Sequence, residues 1–416
     1  MSITEDTASG TTSDRYVIDF DQHGSRLTDH NDEVFKELMY NERGCPMGWS
    51  DHHGGFWAIW GYDALYEAVQ NPTVFSSGHS KEYPKGAPGN VYERPLIPID
   101  IDGDIQQEYR KMVLNWFNPG HAARMKPRIE QVCTQLIDEF IERGEAELSY
   151  ELFNALPAIV VLEMMDWDST NWREWVDWVH GAIHDGALYP ERGLAAINNL
   201  SDAIMREIDM RRGKDGTDLF SDMMRYEVRG ERLTDPQLVD FALLVLFGGM
   251  DTTAGTTGNT VLLIDKDPAL RQQLIDEIDH MPKAIEEFLR YAGPGGGLYR
   301  RLTQDIEFHG QQMKAHEPVL MMYWAANRDP KMFPDPEKID IHRTNNRHMA
   351  FGMGPHRCLG SHHARIMLST MLTQVMTRLP DFKVQWDGVE RFHDSGQVYA
   401  IRYLPVTFTP GKRLLT

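Results

Sequence analysis

Three cysteines in 416 residues, Cys45, Cys133 and Cys358, are too few and too scattered for a disulfide framework. Their odd number fits a reducing compartment, which makes a cytoplasmic location the expectation. Long hydrophobic runs are also missing. The longest, FALLVLF at 241–247, falls far short of the roughly 18–20 apolar residues that span a bilayer, so no membrane anchor is expected. Positive charge is scarce: 42 Lys and Arg stand against 62 Asp and Glu, a formal net charge of −20. Such a field repels phosphate and argues against a nucleic-acid binder. Neither a repeat of 20–50 residues nor a low-complexity linker divides the chain, so one continuous domain is expected over 16–416. Residues 1–15 read as a polar, disordered leader, without the apolar core of a signal peptide.

What is present is mostly helical pattern, with 41% hydrophobic residues to bury. NDEVFKELMYNE starts from an Asn cap, YDALYEAVQNP ends against Pro72, and IQQEYRKMVLNWFNP ends against Pro119. RIEQVCTQLIDEFIERG carries Ile129, Val132, Cys133, Leu136 and Ile137 on one face, which makes Cys133 a core residue, and closes at Gly144. Strands are few: FWAIWGY near 56–62, the stretch 299–324 and VYAIRYLPVTF at 398–408 read as short hairpins and edges. The fold class is therefore mainly α with minor β sheets. Residues 328–349 form a long coil rich in Pro, Asp, Asn and Arg, and such a coil inside a domain is usually functional. Residues 169–215 read as two helices around a Gly- and Pro-containing turn, with Trp172, Trp175 and Trp178 along one face. This pair either packs on the body or forms a lid over a site.

The stretch FGMGPHRCLGSHHARIML begins at Phe351 and places Cys358 just before a helix whose apolar face runs through Ile366, Met367, Met371 and Val375. A thiol at a helix N-terminus has its pKa lowered, which favours the thiolate that binds metal. Gly352, Gly354 and Gly360 allow a sharp turn and the approach of something flat. A capping cysteine and a zinc site recruiting His356, His362 or His363 are the alternatives. Zinc is poorly served by one cysteine and by adjacent histidines that point to different sides of a helix. A second unusual stretch, FGGMDTTAGTTGNT, lies inside a helical pattern from about Asp235 to Asp265. Its Gly248 and Gly249 each cost roughly 1 kcal/mol against alanine and so require a reason, such as a flat group pressed on the helix. Thr252 there is placed to bond back to the carbonyl four residues earlier and bend the helix.

Phe351, Gly354, His356, Cys358 and Gly360 resemble, in order and spacing, the cysteine loop of the haem-thiolate family, the cytochrome P450 monooxygenases, and the chain resembles the soluble bacterial branch over nearly its whole length. The resemblance implies a P450-like fold with haem b as cofactor and O2 as co-substrate. Cys358 would be the iron ligand, its thiolate pushing electron density onto the metal, an effect general to this family. Asp251 would relay protons and Thr252 would hold the oxygen substrate for protonation. A haem sensor or carrier without turnover, the alternative function, has no need of that pair. Glu287 and Arg290 of EEFLRY, with Arg343 of DIHRTNN, match a structural trio of the family that holds the coil before the cysteine. Arg110, Arg300 and His356 match positions that hold the haem propionates. Gln106 departs from the histidine many members carry there, and keeps a donor without a charge.

By the same resemblance, the cavity would be lined by Leu244, Phe247 and Gly248 on the long helix, by Gly297 and Leu298, and by Val398, with Tyr83, Tyr92 and Gln397 as polar contacts. Gly295, Gly296 and Gly297 would leave it roomier. A small or medium apolar substrate, such as a terpenoid, follows. Electrons would come from a separate ferredoxin and ferredoxin reductase, since no such segment is fused to the chain. Lys111, Arg124, Lys126, Arg128, Arg347, Arg357 and Arg365 would form a basic spot for the acidic ferredoxin.

Overall fold

Thr234 opens the longest helix, Asp235–Lys266, with a reciprocal cap: its hydroxyl accepts from the Gln237 amide and the Gln237 side chain accepts from the Thr234 N–H. In this computed structural model, which describes residues 15–78, 92, 94–394 and 396–415, that helix is the axis of the molecule. Its length and composition would suit a membrane span, yet 67% of the most apolar window is buried by protein. It is a core helix: Ala155–Met164, Trp172–His180, Pro190–Arg211, Met281–Ala292 and Ser361–Arg378 all pack around it. Most of its residues are therefore buried on every side, including Leu243, Leu246, Met250 and Val261.

A five-stranded sheet flanks this body, in the order Met47–Ser50, Phe56–Ile59, Pro318–Met321, Leu298–Leu302, Phe75–Ser76. Phe56–Ile59 and Pro318–Met321 run parallel, with Val319 opposite Trp57, and the other neighbours are antiparallel. A smaller sheet joins Lys383–Val384, Pro405–Thr407 and Glu145–Glu147. The edge strand Met47–Ser50, absent from the sequence reading, pairs Met47 with Ile59 and buries Met47 fully.

Some boundaries differ from the sequence pattern. The first helix is Ser25–Met39 and starts from Gly24, not from Asn31. A break at His30 (φ −135°, ψ 37°) lies just before the Asn that resembles a cap. Pro119 ends Gly103–Phe117 and at once starts Pro119–Phe140, because a proline has no N–H to lose in a first turn; Asn118 caps the new helix through the His121 N–H at 2.8 Å. The leader expected at 1–15 falls outside the described residues except for Arg15. That residue is anchored, pairing with Glu317 and lying 4.2 Å over the Trp49 ring.

Between Asn327 and Met349 the backbone has no regular structure, and side chains satisfy it instead. Arg290 donates to the carbonyls of Asn327 (3.0 Å), Pro336 (2.9 Å) and Lys338 (3.2 Å). Glu287 accepts the Asp340 N–H at 2.9 Å, and Asn327 Oδ1 accepts the Met349 N–H at 2.7 Å. This buried scaffold delivers the chain to Phe351.

Candidate active site

The loop from Phe351 to Gly360 turns on two glycines in the left-handed region, Gly352 (φ 63°) and Gly354 (φ 68°). A Cβ on Gly354 would lie 2.5 Å from the Val69 carbonyl oxygen, so no larger residue fits. The Cys358 N–H donates to Phe351 O at 2.8 Å, which closes the loop just ahead of helix Ser361–Arg378. Cys358 is exposed onto the cavity, with protein packed densely around it. Burial therefore pushes the thiol up, against the opposing pull of the Gly360 N–H, Arg110, Arg357 and Arg365. The sequence expectation of a lowered thiol pKa is corrected on this point: desolvation outweighs the helix terminus.

Across a cavity of about 500 Å³ stands the middle of the long helix. A Cβ on Gly248 would meet nothing within 4 Å, whereas one on Gly249 would lie 2.7 Å from Val161 Cγ2. Only Gly248 therefore leaves room for a flat group; Gly249 is small because Ala155–Met164 packs against it. Thr252 donates back to Gly248 O at 2.8 Å, as its spacing predicts, and lines the cavity. Asp251 does not line it. Its side chain is 1% exposed and turned to two histidines, with His184 Nε2 at 3.0 Å from Oδ2 and His180 Nε2 at 3.5 Å from Oδ1. Burial opposes its charge, but the histidines outweigh burial and hold the carboxyl well below the usual range. Burial likewise works to lower the His184 pKa, and Asp251 overrides it and leaves it raised above 6.5.

Cationic and polar groups ring the cavity beside the cysteine loop. Arg300 is buried, lines the cavity and spends one N–H on the adjacent Tyr299 carbonyl at 2.8 Å. Arg110 donates to Arg357 O at 2.6 Å, and burial lowers its pKa, with the Cys358 sulfur opposing. His356 also lines the cavity, its Nε2 held by Asp102 Oδ1 at 2.8 Å and facing Ser77 Oγ at 3.3 Å. Gln106 is not a wall residue: its amide donates to Pro355 O at 3.0 Å and so braces the cysteine loop from behind. Gly354 likewise shapes the loop without lining the cavity, whereas Phe351 and Gly360 do line it.

Leu244, Phe247, Leu298, Gln397 and Val398 all face the cavity, and Tyr83 lies outside the described residues. Tyr92 reaches the cavity too, with its hydroxyl donating to Asp240, which Arg94 also pairs at 2.6 Å. Gly297 lines the wall but does not widen it, since a Cβ there would lie 2.7 Å from Leu320 Cδ1; Gly295, with nothing within 4 Å, does. Glu287, Arg290 and Arg343 are brought together away from the cavity. Arg290 donates to both Glu287 oxygens at 2.8 and 2.9 Å, and Arg343 Nε reaches them at 3.1 and 3.2 Å.

A family model for Cytochrome P450 matches residues 195–396. The Steroid C26-monooxygenase of Mycolicibacterium smegmatis is 33% identical over 365 residues, which cover 85% of this chain and 88% of that protein. The chain belongs to the cytochrome P450 family. The 20-oxo-5-O-mycaminosyltylactone 23-monooxygenase of Streptomyces fradiae is 30% identical and covers 85% of this P450 and 84% of its own length. The crystal structure of CYP109E1 from Bacillus megaterium in complex with testosterone superimposes with a TM-score of 0.83 at 26% identity, covering 92% of this chain and 99% of that one. This P450 is thus a monooxygenase, an oxidoreductase that uses haem b and O2. Its residues fit the cofactor. The open face of Gly248 and the Cys358 sulfur border one cavity, and Arg110, Arg300 and His356, which line it too, are the residues that would face the propionates.

Sequence reasoning missed His180 and His184 at Asp251, and Asp102 behind His356. None has a local motif. Each lies 67 or more residues from its partner or on another element, and only the fold joins them.

Proposed function

We propose that this P450 inserts one oxygen atom into a C–H bond of a medium-sized apolar substrate, with Cys358 as the haem-iron ligand. The observation that carries the reading is the single cavity bordered by the Cys358 sulfur, the bare Gly248 and the Thr252 hydroxyl. When bound, thiolate-ligated haem supplies oxygen activation, and the residues do the rest. Arg110, Arg300 and His356 hold the propionates, with His356 oriented by Asp102. Thr252 bends the helix and offers its hydroxyl oxygen to the cavity, and Asp251 supplies protons from behind it. Leu244, Phe247, Val398 and Leu298 exclude water and favour an apolar skeleton. Glu287, Arg290 and Arg343 hold the coil and take no part in chemistry.

Reduced, haem-loaded protein under carbon monoxide is expected to show the long-wavelength thiolate band, and Cys358→His to lose it while keeping its fold. A wild-type spectrum without that band refutes the ligand assignment. Terpenoids, steroids included, are the proposed substrate class, supported by relatives named for a steroid. A panel of them is expected to displace the iron-bound water and shift the Soret band; shifts confined to fatty acids or simple aromatics would refute the class.

The redox partner proposed is a ferredoxin with its reductase, in the cytoplasm. Arg124, Arg347 and Arg357 make no ion pair among the described residues, which supports a basic docking spot. Lys111, Lys126, Arg128 and Arg365 are each paired with a glutamate and contribute less. Reduction by an acidic ferredoxin is expected to slow steeply with salt.

A further inference from the structure

His184 lies between two groups that only accept hydrogen bonds. Its Nδ1 faces the Asp394 carbonyl oxygen at 3.1 Å and its Nε2 faces Asp251 Oδ2 at 3.0 Å. A neutral imidazole has one N–H and would leave a lone pair against one of these oxygens. The ring cannot turn away, because it lies flat on Phe392, 3.7 Å between centroids and 3° between planes. Both nitrogens satisfied therefore means an imidazolium beside a carboxylate, or a neutral histidine beside a protonated Asp251. Either way the buried pair holds one more proton than a neutral histidine and a carboxylate would.

The surroundings fit that count. From the long helix, Asp251 is the facing charge. From the C-terminal segment, Asp394 turns its carbonyl to His184 and its carboxylate to His23 Nδ1 at 2.9 Å. From its own helix, His180 reaches the other Asp251 oxygen, 13% exposed where His184 and Asp251 are each 1%. Helix Pro190–Arg211 packs on the same turn through Ala196 against Gly181. His180 also faces Asn154 Oδ1 at 3.2 Å, and Asp251 Oδ1 has no hydrogen-bond partner among the described residues.

We propose that His184 is the positioning residue that stores a proton for Asp251, and that His180 is the side through which the store is refilled. In the transfer the His184 Nε2–H bond breaks as an Asp251 Oδ2–H bond forms. Asp251 then gives that proton toward the Thr252 side, and one proton from solvent, arriving by way of His180, restores the pair. This rests on the proposed role of Asp251.

The test uses 15N-histidine-labelled holoprotein in the diamagnetic ferrous, carbon monoxide-bound state. His184 is expected to show two protonated ring nitrogens at pH 7 and to lose one only as the pH is raised further. In Asp251→Asn it should be a neutral Nδ1–H tautomer at pH 7. In the same samples the infrared C–O stretch is expected to change with pH at the His184 midpoint, and His184→Gln should abolish that dependence. A neutral His184 at pH 7 in the wild type, or a C–O stretch with the same pH dependence in His184→Gln, overturns the proposal. Asp251→Asn reads the same pair should His184→Gln fail to fold. The histidine spectra are read whether or not the thiolate band forms, so failure of the ligand assignment remains distinguishable.

Discussion

Glu287→Gln is the sharpest perturbation of the scaffold that presents Cys358. Glu287 is 1% exposed and surrounded by donors alone: Arg290, Arg343, the Asp340 N–H and Asn346 Nδ2 at 3.2 Å. Glutamine keeps the volume but turns one acceptor oxygen into a donor and removes the charge that both guanidiniums face. Removing one partner of a buried ion pair costs about 3–5 kcal/mol, because the remaining charge stays buried without compensation. At about 4 kcal/mol the folded-to-unfolded ratio falls roughly a thousandfold. Urea unfolding of the haem-loaded variant, read by tryptophan fluorescence and by haem absorbance with a shared slope, measures this as a shift in midpoint. The control is Glu163→Gln, at the part-exposed Arg128 pair of 2.6 Å, where at most about 1 kcal/mol is expected. A Glu287→Gln midpoint within 1 kcal/mol of the wild type would refute the claim that this pair holds the coil.

Gly248→Ala is expected to stabilise the haem-free fold by up to about 1 kcal/mol through helix propensity while weakening haem retention, because its methyl enters the cavity. Gly249→Ala is expected to destabilise, since its methyl meets Val161; equal thermal shifts in the two variants would contradict the packing. Gly354→Ala combines a positive φ with a 2.5 Å approach to a backbone oxygen, so a stability loss larger than about 1 kcal/mol and failure of the thiolate band are expected by calorimetry and carbon monoxide spectroscopy. His363 is pushed down to about 4 by burial, with His121 and His362 adding repulsion. The unfolded chain therefore binds a proton between pH 6.5 and 4 that the folded chain refuses. The stability held above pH 6.5 should fall as pH drops to about 4, by up to about 3 kcal/mol, and His363→Leu should flatten that acid limb in unfolding measurements.

The parts legible in the sequence are those whose geometry is local. Gly352, Gly354, Cys358 and Gly360 sit within ten residues, and their spacing alone specifies a turn feeding a helix. The back-bond from Thr252 to Gly248 spans one helical turn and needed no tertiary information. Glu287 and Arg290 share a face for the same reason. The reading went astray where a small residue had two possible reasons: Gly249 and Gly297 are small because Val161 and Leu320 press on them, and spacing cannot distinguish a packed neighbour from an open cavity. It also erred on the Cys358 thiol, because a helix terminus is visible in sequence and desolvation is not.

Sequence by itself determined which residues turn the cysteine loop, which helix crosses the cavity and which residues bend it, because backbone sterics and hydrogen bonds act over a few residues. Tertiary structure alone decided that Asp251 meets His184 and His180, that Gln106 braces the loop and not the cavity, and that Arg290 satisfies three carbonyls of an irregular coil. Those outcomes depend on desolvation and on charges brought together from distant segments, and neither exists until the chain has closed around them.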